Sequence, residues 1–296
     1  MSSHPAVQAP ADPGRLPMTL PLLAEKKRLG EPIVMVTAYD YPSARAAEAA
    51  GVDLVLVGDS AATTVLGYSA TTPVELEDML VLTRAARRGL ETPLLIGDLP
   101  FGSYEVSDEQ AITTAMRMVK EGGCEVVKLE GGGEASVSRA RAIVGAGIPV
   151  MGHVGLTPQT STALGGWKAQ GRTAAAAARI AEEALALQAA GCFAMVFEAI
   201  PSAVTDELMA QMEIPVIGIG AGAATDGQVL VFHDLLGIRD GLGPRFVKRY
   251  ANLQQEMNAG VSAYAEDVRA RRYPGPEHTY KIDPVELAEL RTLLAR

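Results

Sequence analysis

The chain alternates short apolar runs with longer segments of mixed polarity. The runs are nearly continuous in Val, Ile and Leu, whereas a strand with one exposed face would alternate apolar and polar residues. Eight such runs are predicted to be strands: Ile33–Thr37, Asp53–Gly58, Pro93–Asp98, Cys124–Glu130, Ile148–His153, Cys192–Glu198, Pro215–Gly220 and Val229–His233. The pattern indicates a parallel sheet that is buried on both faces.

The segments between these runs carry helical signals. Ser107 and Gln110 have the spacing of a capping box, and apolar residues then recur every three or four positions up to Gly122 or Gly123. Further helices are predicted from Leu76 to near Gly89 and over Ala174–Gly191. An Ala-Gly pair closes three of the predicted helices just before a strand, at Ala50-Gly51, Ala146-Gly147 and Ala190-Gly191. The repeated unit is therefore a strand followed by a helix.

Eight strands with intervening helices favour the α/β class and a closed (β/α)8 TIM barrel over an open sheet. Such a barrel needs about 250 residues, so the 296 residues are expected to form one barrel domain over 18–296. Additional helices are predicted at Leu20–Leu29 and in a C-terminal extension from about residue 244, with Pro244–Arg271 helical and Asp283 capping a last helix. These helices could cover the barrel or pack between subunits. Residues 1–17 hold four prolines and are expected to form a disordered tail.

Polar residues follow five of the predicted strands at their C-terminal ends, where TIM barrels carry their catalytic groups. They are Asp59 with Ser60, Asp98, Lys128 with Glu130, His153 and Glu198. A single acid at such a position is often only the N-cap of the next helix. Recurrence at five strands favours one shared active site over unrelated caps.

Three of these acids, Asp59, Asp98 and Glu130, follow neighbouring strands two, three and four. Three carboxylates without cysteine form a hard, oxygen-rich site, which suits Mg²⁺, with Mn²⁺ possible, better than Zn²⁺. Mg²⁺ usually keeps several water ligands, so one acid can act through a water molecule. The alternative is three unrelated capping or salt-bridged acids.

Lys128 and Glu130 are two residues apart, so strand alternation points both side chains into the barrel. A buried lysine is costly unless it is paired, which favours a role in binding a substrate anion. A Schiff-base lysine is the competing interpretation. His153 could hydrogen-bond a substrate oxygen, move a proton or simply fill the core. Glu198 ends an apolar strand and is a candidate general base.

A glycine-rich stretch, Gly218–Ala223, formally fits a dinucleotide-binding pattern. It follows the seventh strand, not the first, so a Rossmann site is disfavoured, and a phosphate site between strands seven and eight is the better alternative. Close approach of the backbone to a ligand or to a neighbouring loop is favoured over both. The Gly131–Gly133 stretch predicts a flexible turn.

The composition of the chain disfavours some classes of binding partner. The formal net charge is −9 and the pI is about 5.1, which disfavours nucleic acids and anionic membranes because both are usually approached with a basic patch.

Cys124 and Cys192 each precede an apolar run and are expected to be reduced core thiols. No apolar run approaches the roughly 18 residues needed to span a bilayer. A soluble, cytoplasmic protein that acts on small molecules is expected.

Several long motifs resemble one family in the order in which they occur. They are Val36–Tyr41, Leu56–Ser60, Asp98–Phe101, Val127–Gly132, Gly152–Gln159, Pro215–Gly222 and Asp226–Gln228. Over roughly residues 20–250 the chain resembles the ketopantoate hydroxymethyltransferases, in the phosphoenolpyruvate/pyruvate barrel superfamily. Two departures are mild: Gly97 stands where the family often has alanine, and Gly133 adds an unusual third glycine.

The resemblance implies a function and roles for the site residues. It implies transfer of a one-carbon unit from 5,10-methylenetetrahydrofolate to 3-methyl-2-oxobutanoate, and large homo-oligomers, commonly decamers. Its residue roles are Mg²⁺ binding by Asp59, Asp98 and Glu130, substrate binding by Asp59, Ser60, Asp98, Lys128 and His153, and proton abstraction by Glu198.

Two other functions fit the same strand ends. One is a metal-dependent carbon–carbon lyase of the same superfamily, although such lyases usually rely on a catalytic cysteine loop. The other is a non-catalytic binding barrel, against which the complete set of ionisable residues argues.

Overall fold

The computed structural model describes residues 14–239, 241 and 243–295. Eight parallel strands form a closed barrel in chain order, and β8 pairs with β1 to close it. The strands are β1 Ile33–Thr37, β2 Leu54–Val57, β3 Leu94–Asp98, β4 Val126–Lys128, β5 Val150–Gly155, β6 Ala194–Glu198, β7 Val216–Ile219 and β8 Gly227–Leu230. The predicted (β/α)8 TIM barrel is therefore confirmed.

Helices surround the barrel and extend both ends of it. They are α1 Leu20–Leu29, α2 Tyr41–Ala50, α3 Ala61–Thr64, α4 Leu76–Arg87, α5 Asp108–Arg117, α6 Glu134–Gly145, α7 Ala174–Ala189, α8 Ser202–Met209, α9 Phe232–Leu236, α10 Leu253–Arg269 and α11 Pro284–Leu294. A π-helical turn, Met118–Gly122, continues α5, and 3₁₀ turns lie at Pro158–Thr160 and Pro276–His278. None of the described helices is long and apolar enough to cross a membrane.

Most local sequence signals correctly predict the observed elements. Ser107 caps α5 by accepting a hydrogen bond from Gln110 N at 3.1 Å, although the Gln110 side chain accepts from Val106 N and does not close the box. The glycines of the three Ala-Gly pairs have positive φ angles of 68° to 97° at Gly51, Gly147 and Gly191. Glycine adopts this conformation without the steric cost of a Cβ atom, and it ends each helix before the next strand.

Several predicted boundaries were wrong, and the largest errors are at β8 and at the helix predicted over Pro244–Arg271. Strand β8 begins at Gly227 rather than Val229, and the end of the predicted strand, from Phe232, is helix α9. A Cβ atom at Gly227 would lie 2.3 Å from the Ile33 carbonyl oxygen, so close strand packing requires a residue that contributes no apolar signal. The predicted helix Pro244–Arg271 is helical only over Leu253–Arg269.

The strands separate two apolar layers. Side chains that point outwards pack with the helices, and those that point inwards fill the barrel. The inward set includes Met35, Leu54, Leu56, Leu94, Ile96, Val126, Met151, Ala194, Val196, Ile217 and Val229. Successive members on one strand are two residues apart, as β-strand geometry requires. The N-terminal part of the barrel interior is thus a packed core and not a channel.

Helix α1 closes the N-terminal end of the barrel. Leu23 is fully buried and packs with the inward-pointing side chains, and Lys27 Nζ lies 2.8 Å from Asp226 Oδ2. Residues 1–13 of the expected disordered tail lie outside the described residues. Arg15 is described, and its Nη2 atom donates to the Val52 carbonyl oxygen at 2.6 Å and lies 3.5 Å from Asp53 Oδ1. Of the two predicted roles for the added helices, α1 takes that of a barrel cover.

Candidate active site

The inward-pointing positions change character towards the C-terminal ends of the strands. On four strands the inward-pointing residues change from apolar to ionisable: Leu94 and Ile96 are followed by Asp98, Val126 by Lys128, Met151 by His153, and Ala194 and Val196 by Glu198. The alternation of side chains along each strand therefore places apolar residues inside the N-terminal part of the barrel. It places ionisable residues at the mouth formed by the C-terminal ends of the strands.

All seven predicted site residues line one cavity of about 600 Å³ at this mouth. They are Asp59, Ser60, Asp98, Lys128, Glu130, His153 and Glu198. The structure thus confirms that the residues meet, and their individual roles remain predictions. Five separate strand ends supply them, as the closed barrel geometry requires.

Asp59 and Asp98 are adjacent on the floor of the cavity, where Asp59 N donates to Asp98 Oδ2 at 3.1 Å. Burial, followed by the charges of Asp98 and Glu130, raises the pKa of Asp59 well above its usual range. Burial also raises the pKa of Asp98, although Lys128 opposes that shift. Crowded, buried carboxylates of this kind favour a bound cation, which would stabilise their ionised forms.

The donor set fits a magnesium ion held partly by water and substrate. Among the residues described, no three His, Cys, Asp or Glu side chains are arranged as a complete metal cluster. Glu130 is directed elsewhere, because its Oε2 accepts from Gln159 N at 2.9 Å and its Oε1 lies 3.4 Å from His153 Nδ1. Mg²⁺ commonly uses one or two carboxylates and completes its octahedron with other oxygens. Asp98 also has both oxygens engaged, Oδ1 by Lys128 Nζ and Oδ2 by Asp59 N, so the carboxylates of Asp59, Asp98 and Glu130 could hold the ion directly or through water.

Gln159 connects the acids and was missed as a site residue by sequence reasoning. Its side-chain amide donates to Asp59 Oδ2 and to the Leu99 carbonyl oxygen, each at 3.0 Å. Its backbone amide donates to Glu130, and its own Oε1 accepts from the Tyr104 hydroxyl at 2.6 Å. Gln159 lies within one of the motifs of the resemblance, but its spacing carries no chemical signal of its own.

Lys128 forms an ion pair with Asp98 in the barrel, with Nζ 2.9 Å from Oδ1 and side chains only 4% and 1% exposed. Burial alone would lower the pKa of Lys128, but the charges of Asp98, Glu130 and Asp59 outweigh it and raise the pKa. The amine is therefore protonated at neutral pH. This state suits binding of a substrate anion and opposes the Schiff-base alternative, which needs a neutral amine.

His153 lies between two carboxylates, with Nε2 3.2 Å from Glu198 Oε2 and Nδ1 3.4 Å from Glu130 Oε1. Burial and the nearby Lys128 both act to lower the pKa of His153, but the contacts with Glu130 and Glu198 outweigh them and raise it to about 9. The imidazole is thus a cation that holds Glu198 at the side of the cavity. A purely apolar core role for His153 is excluded by these contacts.

Ser60 is fixed by a tyrosine from the first strand end. The Tyr39 hydroxyl and Ser60 Oγ are 2.8 Å apart, and either atom can donate. Burial raises the pKa of Tyr39 to about 12, so its hydroxyl keeps its proton at neutral pH. Ser60 can therefore present its own hydroxyl to a ligand while Tyr39 supports it from behind.

Four further residues form the outer part of the cavity and were also missed: Tyr68, Trp167, Arg239 and Phe246. The glycine-rich stretch explains one of them. A Cβ atom at Gly220, where φ is +64°, would lie 2.5 Å from Phe246 Cδ1, so the glycine makes room for the ring. The expected close approach of the backbone to a neighbouring segment is confirmed at Gly220.

Both cysteines are free thiols buried in the outer core, away from the residues that line the cavity. Burial raises the pKa of Cys124 and of Cys192 to about 12 in each case. Neither thiol supplies the nucleophilic or acidic cysteine of a superfamily lyase, so the lyase alternative loses its expected catalytic group.

Known proteins of one family are similar to this chain over most of its length. A model of the family described as ketopantoate hydroxymethyltransferase matches residues 17–276. The chain belongs to this family. It is 50% identical over 285 residues to 3-methyl-2-oxobutanoate hydroxymethyltransferase 1, mitochondrial, of Arabidopsis thaliana, covering 94% of this chain and 82% of the relative. It is also 50% identical over 264 residues to 3-methyl-2-oxobutanoate hydroxymethyltransferase of Moorella thermoacetica, covering 89% and 98%. As a family member, the protein is an enzyme.

Two solved structures of distant proteins share the fold. 2,3-Dimethylmalate lyase, a phosphoenolpyruvate mutase/isocitrate lyase superfamily member, has a TM-score of 0.57 at 16% identity and covers 94% of this chain and 96% of its own. A phosphonopyruvate hydrolase complex with oxalate and Mg²⁺ has a TM-score of 0.54 at 14% identity, covering 94% and 99%. At these identities the likeness supports the barrel architecture alone.

Proposed function

We propose that the protein transfers a hydroxymethyl group from 5,10-methylenetetrahydrofolate to 3-methyl-2-oxobutanoate, giving 2-dehydropantoate, a precursor in pantothenate biosynthesis. The observation that carries this proposal is the position of Glu198, which shares one cavity with the buried Asp59–Asp98 pair. A base beside a cation-binding floor is what removal of a proton next to a ketone requires. The names of the curated relatives, half identical to this chain, support the same reaction.

The overall change balances without an oxidant or reductant. The hydrogen on C3 of the 2-oxo acid leaves as a proton, and a new C3–carbon bond forms to the one-carbon unit. Water supplies the hydroxyl oxygen, and the folate leaves as tetrahydrofolate. The enzyme must therefore hold the 2-oxo acid, remove one proton and bring the folate carbon to C3.

The chain's own residues divide these tasks. Ser60 and the protonated Lys128 and His153 bind the oxygen atoms of the 2-oxo acid, where negative charge develops as the proton leaves. Glu198 accepts the C3 proton, and the imidazolium of His153, 3.2 Å away, fixes the orientation of that carboxylate. Lys128 remains paired with Asp98, so its ammonium is held in place before substrate arrives.

Mg²⁺, or Mn²⁺ in its place, would be held by the carboxylates of Asp59, Asp98 and Glu130, directly or through water. When bound, the ion supplies Lewis-acid polarisation of the 2-oxo carbonyl, which makes the neighbouring C–H more acidic. Gln159 fixes the positions of the Asp59 and Glu130 carboxylates by donating a hydrogen bond to each.

We also propose a homo-oligomer, for which a decamer is the expectation from the resemblance. Helices α10 and α11 bury none of their described residues. Large apolar residues of α10 recur at intervals of four, three and four positions and are exposed: Met257, Val261, Tyr264 and Val268. Such a stripe is typical of a helix that packs on a partner helix. A cytoplasmic location stays a prediction, and the plant relative is named mitochondrial.

A product assay tests the proposal. Purified protein is incubated with 3-methyl-2-oxobutanoate and 5,10-methylenetetrahydrofolate, with Mg²⁺ or with EDTA, and 2-dehydropantoate is quantified by mass spectrometry. Product that depends on the metal supports both the reaction and the carboxylate site. Folded protein that forms no product with Mg²⁺ present rules the proposed function out.

A further inference from the structure

The cavity extends well beyond the ring of ionisable residues. Its volume of about 600 Å³ falls in the range of roughly 300–1,000 Å³ that holds drug-sized ligands. A five-carbon 2-oxo acid on the floor, beside Asp59 and Asp98, fills only part of this space. The lining also includes Tyr68, Trp167, Phe246 and Arg239, which are all partly exposed to solvent and form the outer part of the cavity.

Three large aromatic side chains line this outer part and are exposed to water. Tyr68 is 44%, Trp167 59% and Phe246 36% exposed, although aromatic side chains usually bury most of their surface. The Phe246 ring packs against Gly220, where a Cβ atom would clash with it. Exposed rings at the mouth of a concave site favour a planar ligand that stacks on them.

Arg239 adds a cation to the same outer part. Its Nη1 atom lies 2.6 Å from Oδ1 of the buried Asp234, and both residues line the cavity. The ion pair anchors one side of the guanidinium, and the side chain remains 38% exposed. An anchored, partly exposed arginine is well suited to bind a ligand carboxylate in a fixed place.

We infer that this outer part is the binding site of the reduced folate. Trp167 and Phe246 stack against its planar ring system, Tyr68 lies along the same wall, and Arg239 pairs with a carboxylate of its glutamate tail. The inference rests on the proposed function, because the folate is the co-substrate of that reaction. One continuous cavity allows the folate carbon to meet C3 of the 2-oxo acid, and the folate then covers the inner site against water.

Trp167 is the single tryptophan of the chain, so it reports on its own surroundings. Fluorescence of the Mg²⁺-loaded full chain is titrated with tetrahydrofolate, the product without the reactive carbon, after correction for ligand absorbance. Saturable quenching is expected. Phe246→Ala and Arg239→Gln should each weaken the binding at least tenfold, whereas Tyr280→Ala, at a fully exposed aromatic residue, should leave it unchanged.

The kinetic test uses Trp167→Ala, which removes an exposed ring and is not expected to disturb folding. The KM for 5,10-methylenetetrahydrofolate should rise at least tenfold, with the KM for 3-methyl-2-oxobutanoate within threefold of the original value. Unchanged tetrahydrofolate affinity in Phe246→Ala and Arg239→Gln, together with an unchanged folate KM in Trp167→Ala, would overturn the inference.

The proposed function is checked separately on the unaltered protein. Exchange of the C3 hydrogen of 3-methyl-2-oxobutanoate for deuterium needs Mg²⁺ and the inner site but no folate. Exchange and product formation with unchanged folate binding in the variants would reject only the outer site. Absence of both exchange and product would reject the function and the folate site together.

Discussion

The side-chain amide of Gln159 donates a hydrogen bond to Asp59 Oδ2 over 3.0 Å, and the backbone amide of the same residue donates to Glu130. One buried residue from the loop after β5 thus fixes two acids that follow β2 and β4. Side chains that orient metal ligands commonly matter almost as much as the ligands.

Replacing Gln159 with leucine should weaken Mg²⁺ binding about 10–100-fold, because Asp59 loses the donor that orients it. Affinity is measured by calorimetry in the presence of 3-methyl-2-oxobutanoate, and folding by thermal unfolding in EDTA. Gln255→Leu, at an exposed glutamine of α10, is the matched control. Wild-type metal affinity in a folded Gln159→Leu protein would show that Asp59 does not depend on this contact.

Removing the charge of Lys128 by Lys128→Met leaves Asp98 buried without its cation partner. Breaking a buried ion pair from one side costs about 3–5 kcal/mol, so the free energy of unfolding in EDTA should fall by that amount. Binding of 3-methyl-2-oxobutanoate should weaken as well, because a positive charge facing its anion is lost. Equal unfolding free energies for the two proteins would contradict a structural ion pair.

The same lysine separates anion binding from imine formation. Incubation of the unaltered protein with 3-methyl-2-oxobutanoate and borohydride should add no mass, because the amine is protonated and held by Asp98. A mass increase that maps to Lys128 would support the Schiff-base alternative.

Much of this site follows from the sequence because strand alternation is local and strict. Once Lys128 was placed near a strand end, Glu130 had to share its side of the sheet, and both line the cavity. The first strand and helix α1 were predicted with the observed bounds, Ile33–Thr37 and Leu20–Leu29. Each has a strong local pattern that tertiary packing reinforces.

The wrong element boundaries and the missed site residues depend on tertiary contacts and not on local sequence patterns. Gly227 begins β8 because it fits against Ile33, and Phe246, which packs on Gly220, lies in a segment that precedes the observed helix Leu253–Arg269. Gln159 contacts residues far away in the sequence, and Arg239 pairs with Asp234 of the preceding helix α9. Periodicity and motif spacing do not encode such contacts, so a structure is needed to find them.

Glu48 should make the stability of the barrel depend on pH. Burial alone would raise the pKa of Glu48, but hydrogen bonds from Glu91 N, Thr92 N and Thr92 Oγ1 outweigh it and lower the pKa. A carboxylate with a lowered pKa in the folded state stabilises the protein above its unfolded pKa of about 4.3, and this contribution is lost as the pH falls through the folded value.

Glu48→Gln should therefore lower the free energy of unfolding by about 1–3 kcal/mol at pH 7. The difference from the unaltered protein should shrink as the pH falls below about 4. Urea unfolding at several pH values measures it, with the exposed Glu31→Gln as control. A difference that stays constant with pH would show that the charge of Glu48 is not the source of the stabilisation.

The apolar stripe of α10 should govern assembly. Val261→Asp places a charge within the stripe, and Ala259→Asp places the same charge on the other side of the helix. Light scattering after size-exclusion chromatography should give a smaller assembly for Val261→Asp and the wild-type mass for Ala259→Asp. A monomeric wild-type protein, or equal masses for all three, would contradict an interface at α10.

The central claim is that Glu198 removes the C3 proton of 3-methyl-2-oxobutanoate beside a Mg²⁺-binding floor. Its most direct test is the rate of exchange of that hydrogen for deuterium, followed by NMR without folate, in the unaltered protein and in Glu198→Gln. We predict Mg²⁺-dependent exchange that falls about 10²–10⁴-fold in the variant, with binding of the 2-oxo acid within threefold of the original. Equal exchange rates in the two proteins would contradict the account, because another group would then be the base.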